Sequence, residues 1–254
     1  MLVSAMADSS LPKLPFIVAH RGNSSEAPEN TAAAIRSGIA AGADLVEFDV
    51  RVSADGVLLL FHDKDLQRIT GDAAAFDSLT LAQARQLDVG AWFTQGTGSF
   101  QGEHPPTLAE AIFLCLEGGV TPLIERKSGD AAAFIHVIRG LKAEDRIIVQ
   151  AFDWDFLREI RELEPTIRIG ALGDKLPDDE RIAQLNAIRP DWIGWNQNYL
   201  DAGAIRRFQE GGASVAVWTV NDMKQVRLFA EQGAQAIITD RVRQAREVLA
   251  GLPQ

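Results

Sequence analysis

Short apolar segments rich in β-branched residues alternate with amphipathic helical segments along most of the chain. Eight segments have the pattern of strands: Phe16–Ala19, Leu45–Val50, Leu123–Glu125, Ile147–Ala151, Ile167–Leu172, Trp192–Trp195, Val215–Thr219 and Ala236–Thr239. Helical segments follow at Thr31–Ala41, Leu108–Leu116, Ala131–Leu141, Phe156–Leu163, Asp179–Ile188, Ala204–Gln209, Met223–Glu231 and Val242–Leu249. This repeat predicts an α/β fold, a (β/α)8 barrel. An open doubly wound sheet is the alternative, but no glycine-rich dinucleotide motif follows the first strand.

One segment interrupts this alternation after the second strand. Asp55-Gly56 stands between two β-rich runs, which predicts a hairpin. A four-residue turn would place Glu47 opposite His62. We therefore predict a single barrel domain over residues 1–254, with a hairpin and a small inserted subdomain over 53–106. Insertions at this end of a barrel commonly cover an active site, so we expect this one to lie over the catalytic face.

The composition is that of an ordinary globular protein, with 46% hydrophobic and 24% charged residues. The net charge is -10 and no Lys/Arg run is present, which argues against binding to nucleic acid or to an anionic membrane. Residues 1–10 lack the basic and apolar regions of a signal peptide, and no apolar run is long enough for membrane insertion. The cytoplasm is therefore the expected location. The single cysteine, Cys115, is expected to fill the core.

Two carboxylates lie on one face of the second strand. Glu47 and Asp49 alternate with Val46, Phe48 and Val50, so their side chains point to the same side. Neighbouring carboxylates repel each other, and burying them is costly. A solvated strand face, a covering Lys or Arg, or a bound divalent cation would each make the pair tolerable.

Other polar residues stand where the predicted strands end, which is the catalytic end of such a barrel. They are His20, Arg21, Glu125, Lys127 and Trp218, and the hairpin returns His62 to the same end. Each has a simpler explanation when taken alone. Lys127 could pair with Glu125, and Trp218 could pack in the core.

Taken together, these groups suit phosphodiester hydrolysis. A hard cation on the acids would draw charge from a phosphate oxygen, and Arg21 and Lys127 would neutralise the rest. Two histidines near neutrality can serve as base and acid in one turnover. An oxygen nucleophile must lose a proton, and the departing alkoxide must gain one.

At these residues the sequence resembles the glycerophosphodiester phosphodiesterases of the bacterial, cytosolic type. The resemblance runs in order along nearly the whole chain. It consists of His20-Arg21-Gly22, Ala27-Pro28-Glu29-Asn30-Thr31, Glu47-Phe48-Asp49-Val50, Asp55-Gly56, His62-Asp63, Pro106-Thr107-Leu108-Ala109-Glu110, Glu125-Arg126-Lys127, Val217-Trp218-Thr219-Val220-Asn221 and Ile237-Ile238-Thr239-Asp240.

The resemblance implies a TIM barrel that hydrolyses a small-molecule glycerophosphodiester to sn-glycerol 3-phosphate and an alcohol. It also implies a role for each matching residue. His20 and His62 would be the acid–base pair, and Glu47, Asp49 and Glu125 would bind one divalent cation, Mg2+ or Ca2+. Arg21 and Lys127 would contact the phosphate, Trp218 would form a wall of the glycerol pocket, and Glu29 and Asn30 would support the His20 loop.

Two rival functions fit parts of the same pattern. A phosphodiesterase of this superfamily that acts on lysophospholipids or phosphoinositides would need an apolar entry, for which the insertion offers Leu79, Leu81, Leu87, Trp92, Phe93 and Phe100. A non-catalytic glycerophosphodiester-binding protein would lack an acid, a base or a ligand. None of the seven charged site residues is missing.

Overall fold

A parallel barrel forms the centre of the molecule in the computed structural model, which describes residues 14–95 and 98–252. Residues 1–10, predicted not to be a signal peptide, lie outside the described part. Among the described residues the strands are β1 (Phe16–Ala19), β2 (Leu45–Val52), β3 (Leu58–Leu60), β4 (Thr121–Arg126), β5 (Ile148–Ala151), β6 (Arg168–Gly173), β7 (Trp192–Asn196), β8 (Ser214–Trp218) and β9 (Ala236–Thr239). The predicted α/β barrel is confirmed, because eight strands run parallel and β1 closes the ring by pairing with both β9 and β2.

The helices that the structure describes surround this barrel or lie in the insertion. They are α1 (Ala32–Ala40), α2 (Gln67–Thr70), α3 (Leu81–Ala84), α4 (Leu108–Glu117), α5 (Ala131–Gly140), α6 (Trp154–Leu163), α7 (Asp179–Ile188), α8 (Ala202–Glu210), α9 (Met223–Glu231) and α10 (Val242–Ala250). Polar side chains cap most of the long ones. Thr31, for example, accepts a hydrogen bond from the Ala34 N–H at the start of α1. The predicted barrel strands and long helices are correct to within two residues at each end.

Strand alternation decides what fills the barrel. Apolar side chains such as Val18, Leu45, Leu123, Ile148 and Trp192 form a buried cluster inside the ring. Side chains of the opposite strand faces pack against the helices in a separate core. Two residues further along β2 and β4, the same inward face carries carboxylates instead. The polar site therefore lies directly above the apolar filling of the barrel.

The predicted hairpin forms, but its predicted register is wrong by one residue. Val52 pairs with Leu58, and the Ser53 N–H donates to the Val57 carbonyl oxygen at 2.8 Å. The loop therefore has three residues and ends at Gly56, whose φ of +81° suits glycine. The shift places the Phe61 N–H on the Asp49 carbonyl oxygen, and Glu47 does not face His62 across the hairpin.

The segment after the hairpin has a small core of its own. Leu59, Phe61, Leu66, Ile69, Phe76, Ala84 and Val89 form a buried cluster, and the rings of Phe61 and Phe76 stack at 4.4 Å. Leu79, Leu81, Leu87 and Trp92 pack against this cluster. Phe93 is buried and contacts Trp92 and Phe100 edge to face. The apolar side chains considered for an acyl-chain entry are therefore engaged in packing.

No helix in the described part of the chain is both long enough and apolar enough to cross a bilayer.

Candidate active site

A cavity of about 220 Å3 opens at the C-terminal ends of the barrel strands. It is lined by His20, Arg21, Glu47, His62, Glu125, Lys127, Gln150, Phe152, Leu172, Trp218, Thr219 and Ile238. Segments up to 218 residues apart in sequence therefore meet in one place. A larger cavity of about 450 Å3, near Arg36 and Phe113, contains none of the predicted site residues.

Three buried carboxylates form the acidic part of this site. One oxygen from each of Glu47, Asp49 and Glu125 lies within 4.8 Å of the others. The three residues are 2%, 1% and 9% exposed. A solvated strand face, the simplest explanation of the Glu47–Asp49 pair, is therefore wrong.

The carboxylates have very different affinities for protons. Burial, together with the charges of Asp49 and Glu125, raises the pKa of Glu47 well above its usual value. Burial and the Asp49 charge also raise the pKa of Glu125. Burial acts in the same direction on Asp49, but Lys127 and Arg21 outweigh it and hold the pKa of Asp49 well below its usual value. Asp49 is therefore the firmly ionised member of the three.

Two cations cover part of the acidic group. Lys127 Nζ lies 3.2 Å from Asp49 Oδ1 and also contacts Glu125. Arg21 Nε lies 3.4 Å from Asp49 Oδ2. Burial alone would lower the pKa of both cations, but the surrounding carboxylates raise it. Both side chains are thus charged and lie beside the acids. The covering Lys or Arg expected for the Glu47–Asp49 pair is therefore present.

A buried oxygen of Glu47 has no hydrogen-bond partner among the described residues. Glu47 Oε2 accepts a hydrogen bond from the Arg21 backbone N–H at 2.8 Å, but Oε1 accepts none from that part of the chain. Carboxylate oxygens are the ligands that Mg2+ and Ca2+ prefer. Two oxygens that each lie about 2.4 Å from the same ion are at most about 4.8 Å apart, and the three oxygens stay within that limit. The donor set, its spacing and the unpartnered oxygen therefore fit a single divalent cation.

His20 is held by an aspartate from the other end of the chain. Its Nδ1 lies 2.6 Å from Asp240 Oδ1, just beyond β9, which is the barrel neighbour of β1. Asp240 also accepts hydrogen bonds from Ser24 and Asn221. Although burial raises the pKa of Asp240, these donors and His20 lower it to about 2. An ionised Asp240 selects the His20 tautomer with a proton on Nδ1.

His62 is held in the same way by its sequence neighbour. Its Nδ1 lies 2.6 Å from Asp63 Oδ1. Asp63 Oδ2 accepts from Arg68 Nε at 2.6 Å, and the Arg68 guanidinium donates two further hydrogen bonds to Glu29, at 2.7 and 2.8 Å. Glu29 in turn accepts from Arg21 Nη1 at 2.9 Å. A continuous chain of charged hydrogen bonds therefore joins His62 to Arg21.

The loop after β1 adopts a tight left-handed conformation that brings the backbone close to the acids. Arg21, Gly22 and Asn30 all have positive φ. A Cβ on Gly22 would lie 2.6 Å from Ala34, so only glycine allows this loop to pack on α1. Asn30 donates from Nδ2 to Asp49 Oδ2 at 2.9 Å and accepts the Asp49 N–H at 3.0 Å. Glu29 and Asn30 thus contact Arg21 and Asp49 directly.

An apolar wall faces the charged groups across the cavity. Trp218, at the end of β8, packs edge to face with Phe152, with ring centroids 5.8 Å apart. Leu172 and Ile238 continue this wall. The cavity therefore has one charged side and one apolar side, as a ligand with an anionic group and a carbon skeleton requires.

The predicted site residues all lie in one region, and the structure adds three residues whose contacts the motifs do not predict. Asp240 belongs to a matching motif that implies no role for it, although the closure of a barrel places the last strand beside the first. In the sequence, Asp63 is only the neighbour of His62. Arg68 lies outside every motif, and nothing in the sequence points to it. Its position depends on how the insertion folds back onto the barrel.

Comparisons with known proteins agree with this arrangement. The model of the Glycerophosphoryl diester phosphodiesterase family matches residues 20–244. A protein of Caldanaerobacter subterraneus subsp. tengcongensis named glycerophosphodiester phosphodiesterase is 29% identical over 89% of this chain and 93% of its own length. A solved structure of an Oleispira antarctica phosphodiesterase in complex with the product sn-glycerol-3-phosphate has a TM-score of 0.87 at 28% identity. That match covers 94% of this chain and 98% of the other. A structure from Silicibacter pomeroyi shares the fold, with a TM-score of 0.87 at 24% identity and coverage of 98% and 96%.

Proposed function

Because the chain belongs to the Glycerophosphoryl diester phosphodiesterase family, we propose that it hydrolyses glycerophosphodiesters to sn-glycerol 3-phosphate and an alcohol. One observation carries this proposal. Two carboxylate-held histidines, Arg21, Lys127 and two buried glutamates line a single cavity with an apolar wall, and Asp49 lies beside the glutamates. A binding protein would have no need for two imidazoles that are each fixed in one tautomer.

Glu47, Asp49 and Glu125 would hold one divalent cation, Mg2+ or Ca2+. When bound, such a cation withdraws charge from a phosphate oxygen and offsets the repulsion among the three acids. The unpartnered Oε1 of Glu47 and its raised pKa support this assignment, because a buried acid without a partner is costly.

Arg21 and Lys127 would bind the phosphate. Arg21 offers a planar guanidinium held by Glu29, and Lys127 offers a point charge beside Asp49. Both side chains are about 80% buried, which strengthens their attraction for an anion relative to exposed cations. Trp218 would support the glycerol carbons from the apolar side.

The histidines would move the protons. With Nδ1 bonded to an aspartate, each imidazole has Nε2 free for exchange with the substrate. Burial lowers the pKa of His62, which keeps it neutral at neutral pH and suits it to accept a proton from the nucleophile. The nucleophile would be water, or the neighbouring glycerol hydroxyl, which would give a cyclic phosphate that water then opens. His20 would then protonate the departing alcohol oxygen.

A substrate panel tests this proposal. Glycerophosphocholine, glycerophosphoethanolamine and lysophosphatidylcholine are each incubated with the enzyme after chelation and again with Mg2+, Mn2+ or Ca2+ restored. We expect release of glycerol 3-phosphate from the two glycerophosphodiesters, only when a cation is present. Turnover of lysophosphatidylcholine alone would favour the rival substrate class. Tight binding without turnover under all conditions would favour a binding protein.

A further inference from the structure

Arg51 is a buried cation at the edge of the site that the proposed chemistry does not use. It follows Asp49 on the inward face of β2, because residues two apart on a strand point to the same side. The residue is only 6% exposed. Taking a guanidinium out of water is costly unless nearby groups compensate it, so the contacts of Arg51 require an explanation.

The ion pair that Arg51 makes is a weak one. Among the described residues its carboxylate partner is Asp77 of the insertion, and Arg51 Nη1 lies 3.5 Å from both Asp77 oxygens. The Asp77 side chain is 40% exposed, so water already solvates much of its charge. A long pair with a half-exposed acid contributes little to stability. The ion pair therefore does not account for a buried guanidinium near the end of β2.

The shorter contact of Arg51 is with the backbone of a predicted catalytic histidine. Arg51 Nε donates a hydrogen bond to the His62 carbonyl oxygen at 3.1 Å. The paired part of β3 ends at Leu60, and the Phe61 N–H donates to the Asp49 carbonyl oxygen at 3.0 Å. The Arg51 side chain therefore extends the attachment of this segment to β2 by one more residue.

Other contacts of the His62 loop do not fix its distance from β2. The Phe61 ring stacks on the Phe76 ring, which belongs to the insertion. Asp63 orients the His62 imidazole, but Asp63 belongs to the same loop and moves with it. Arg51 belongs to β2, the strand that carries two of the acids, so its hydrogen bond ties the loop to the acidic part of the site.

We propose that Arg51 is a positioning residue, whose guanidinium holds the His62 backbone against β2 and so sets the distance between the His62 imidazole and the substrate phosphate. This inference rests on the proposed function, in which His62 accepts a proton from the nucleophile. Proton transfer needs the imidazole within hydrogen-bond reach, so a small displacement lowers turnover. Arg51 is not among the residues that line the cavity, so substrate binding by Arg21 and Lys127 should not depend on it.

Steady-state kinetics with glycerophosphocholine separate positioning from binding. In Arg51→Met an apolar side chain replaces the donor, and we expect kcat to fall by about tenfold or more while KM changes by less than about threefold. Arg51→Lys keeps the charge and one donor but not the fork, so it should recover part of the loss. Asp77→Asn removes the ion-pair partner and leaves the bond to His62, so it should keep the kcat of wild type.

Hydrogen exchange measured by NMR provides a readout that needs no turnover. The Phe61 amide bonds the Asp49 carbonyl oxygen directly beside the Arg51–His62 contact. Without that contact the segment should open more often, and the Phe61 amide should exchange about fivefold faster or more in Arg51→Met. Asp77→Asn should leave this exchange rate unchanged.

Arg139→Met is the matched control. Arg139 likewise donates to a backbone carbonyl oxygen, that of Leu163, and to a carboxylate, that of Glu164. It lies at the C-terminal end of α5 and does not line the cavity. This variant should therefore leave both kcat and the exchange rate of the Phe61 amide unchanged.

Three outcomes would overturn the inference: wild-type kcat in Arg51→Met, an equal loss of kcat in Asp77→Asn, or a loss of kcat without faster exchange of the Phe61 amide. The second would mean that Arg51 only stabilises the insertion, and the third that it acts through its charge. Arg51→Lys provides the same comparison if Arg51→Met does not fold. A wild-type protein that hydrolyses no glycerophosphodiester would instead refute the proposed function, and faster exchange in Arg51→Met would still support the attachment of the His62 loop by Arg51.

Discussion

At the scale of single residues, each histidine depends on one carboxylate for its tautomer. Asp240 holds His20 and Asp63 holds His62, both at 2.6 Å. The two pairs arise differently, since one joins the two ends of the chain and the other joins sequence neighbours. The result is the same in both cases: Nδ1 is occupied and Nε2 is available for proton transfer.

Replacing Asp63 by Asn should lower kcat by about 100-fold or more, because the amide no longer selects the productive tautomer of His62. The Asp63 carboxylate raises the pKa of His62, against the larger effect of burial. Removing its charge should therefore lower this pKa further. If His62 is the base, the acidic limb of the kcat/KM profile, already expected below pH 6.5, moves to lower pH.

Asp65→Asn is the control for this variant, because Asp65 lies in the same loop but its carboxylate bonds only the Gln67 backbone N–H among the described residues. It should leave the pH profile unchanged. An acidic limb that stays in place in Asp63→Asn would show that His62 is not the base.

Glu47 allows a direct test of cation binding. Its unpartnered buried oxygen and its raised pKa indicate that the ionised carboxylate destabilises the metal-free protein. Adding Mg2+ or Ca2+ should raise the Tm of wild type by differential scanning calorimetry. In Glu47→Gln the metal-free Tm should be equal or higher, and the increase on adding cation should be much smaller. An equal increase in both proteins would place the cation elsewhere.

At the scale of elements, Arg68 connects the insertion to the loops of the site. Arg68 of α2 bonds Asp63 and Glu29 at once, and so links the two loops that carry His62 and Arg21. We infer that the insertion lies over the catalytic face and positions it. No motif contains Arg68, so this link could not be predicted from the sequence.

Arg68→Met should therefore reduce kcat/KM by about tenfold or more through displacement of the two loops. Arg85→Met is a matched control, because Arg85 belongs to the same insertion, is similarly exposed at 40% against 44%, and pairs with Glu110, away from the two loops. Comparable losses in the two variants would mean that Arg68 only stabilises the insertion. Partial recovery in Arg68→Lys, which keeps the charge but not the fork, would support positioning.

The hairpin shows which features of an element can be predicted from the sequence pattern. Alternation of apolar and polar residues located β2, and Asp55-Gly56 located the turn. The pairing register of β2 and β3 depends on the length of the loop, which has three residues and ends at Gly56 in a left-handed conformation. The residue types in the turn do not specify that length. His62 nevertheless reaches the cavity, because it follows the paired strand and is oriented by Asp63 instead of by the ladder.

At the scale of the whole molecule, the strand–helix alternation predicts the closed barrel, and the ordered motifs predict the family and the enzyme class. All three predictions are confirmed. Barrel closure then explains why distant motifs meet. The hydrogen bonds of Arg68 and Asp240 depend on how distant segments pack together, so a single sequence does not reveal them.

The reactivity of the Cys115 thiol tests whether α4 stays packed in the native protein. It is the single cysteine of the chain, is fully buried in α4, and has a pKa that burial raises far above the usual value. The native protein should therefore not react with Ellman's reagent, whereas the unfolded chain should titrate one thiol. Fast reaction of the native protein would show that α4 opens locally without global unfolding.

The release of glycerol 3-phosphate from glycerophosphocholine by four histidine variants tests the central claim most directly. The chain has four histidines, of which only His20 and His62 line the cavity. His20→Ala and His62→Ala should each lower kcat by about 100-fold or more, while His104→Ala and His136→Ala should leave it unchanged. Near-normal turnover in both His20→Ala and His62→Ala would contradict the account.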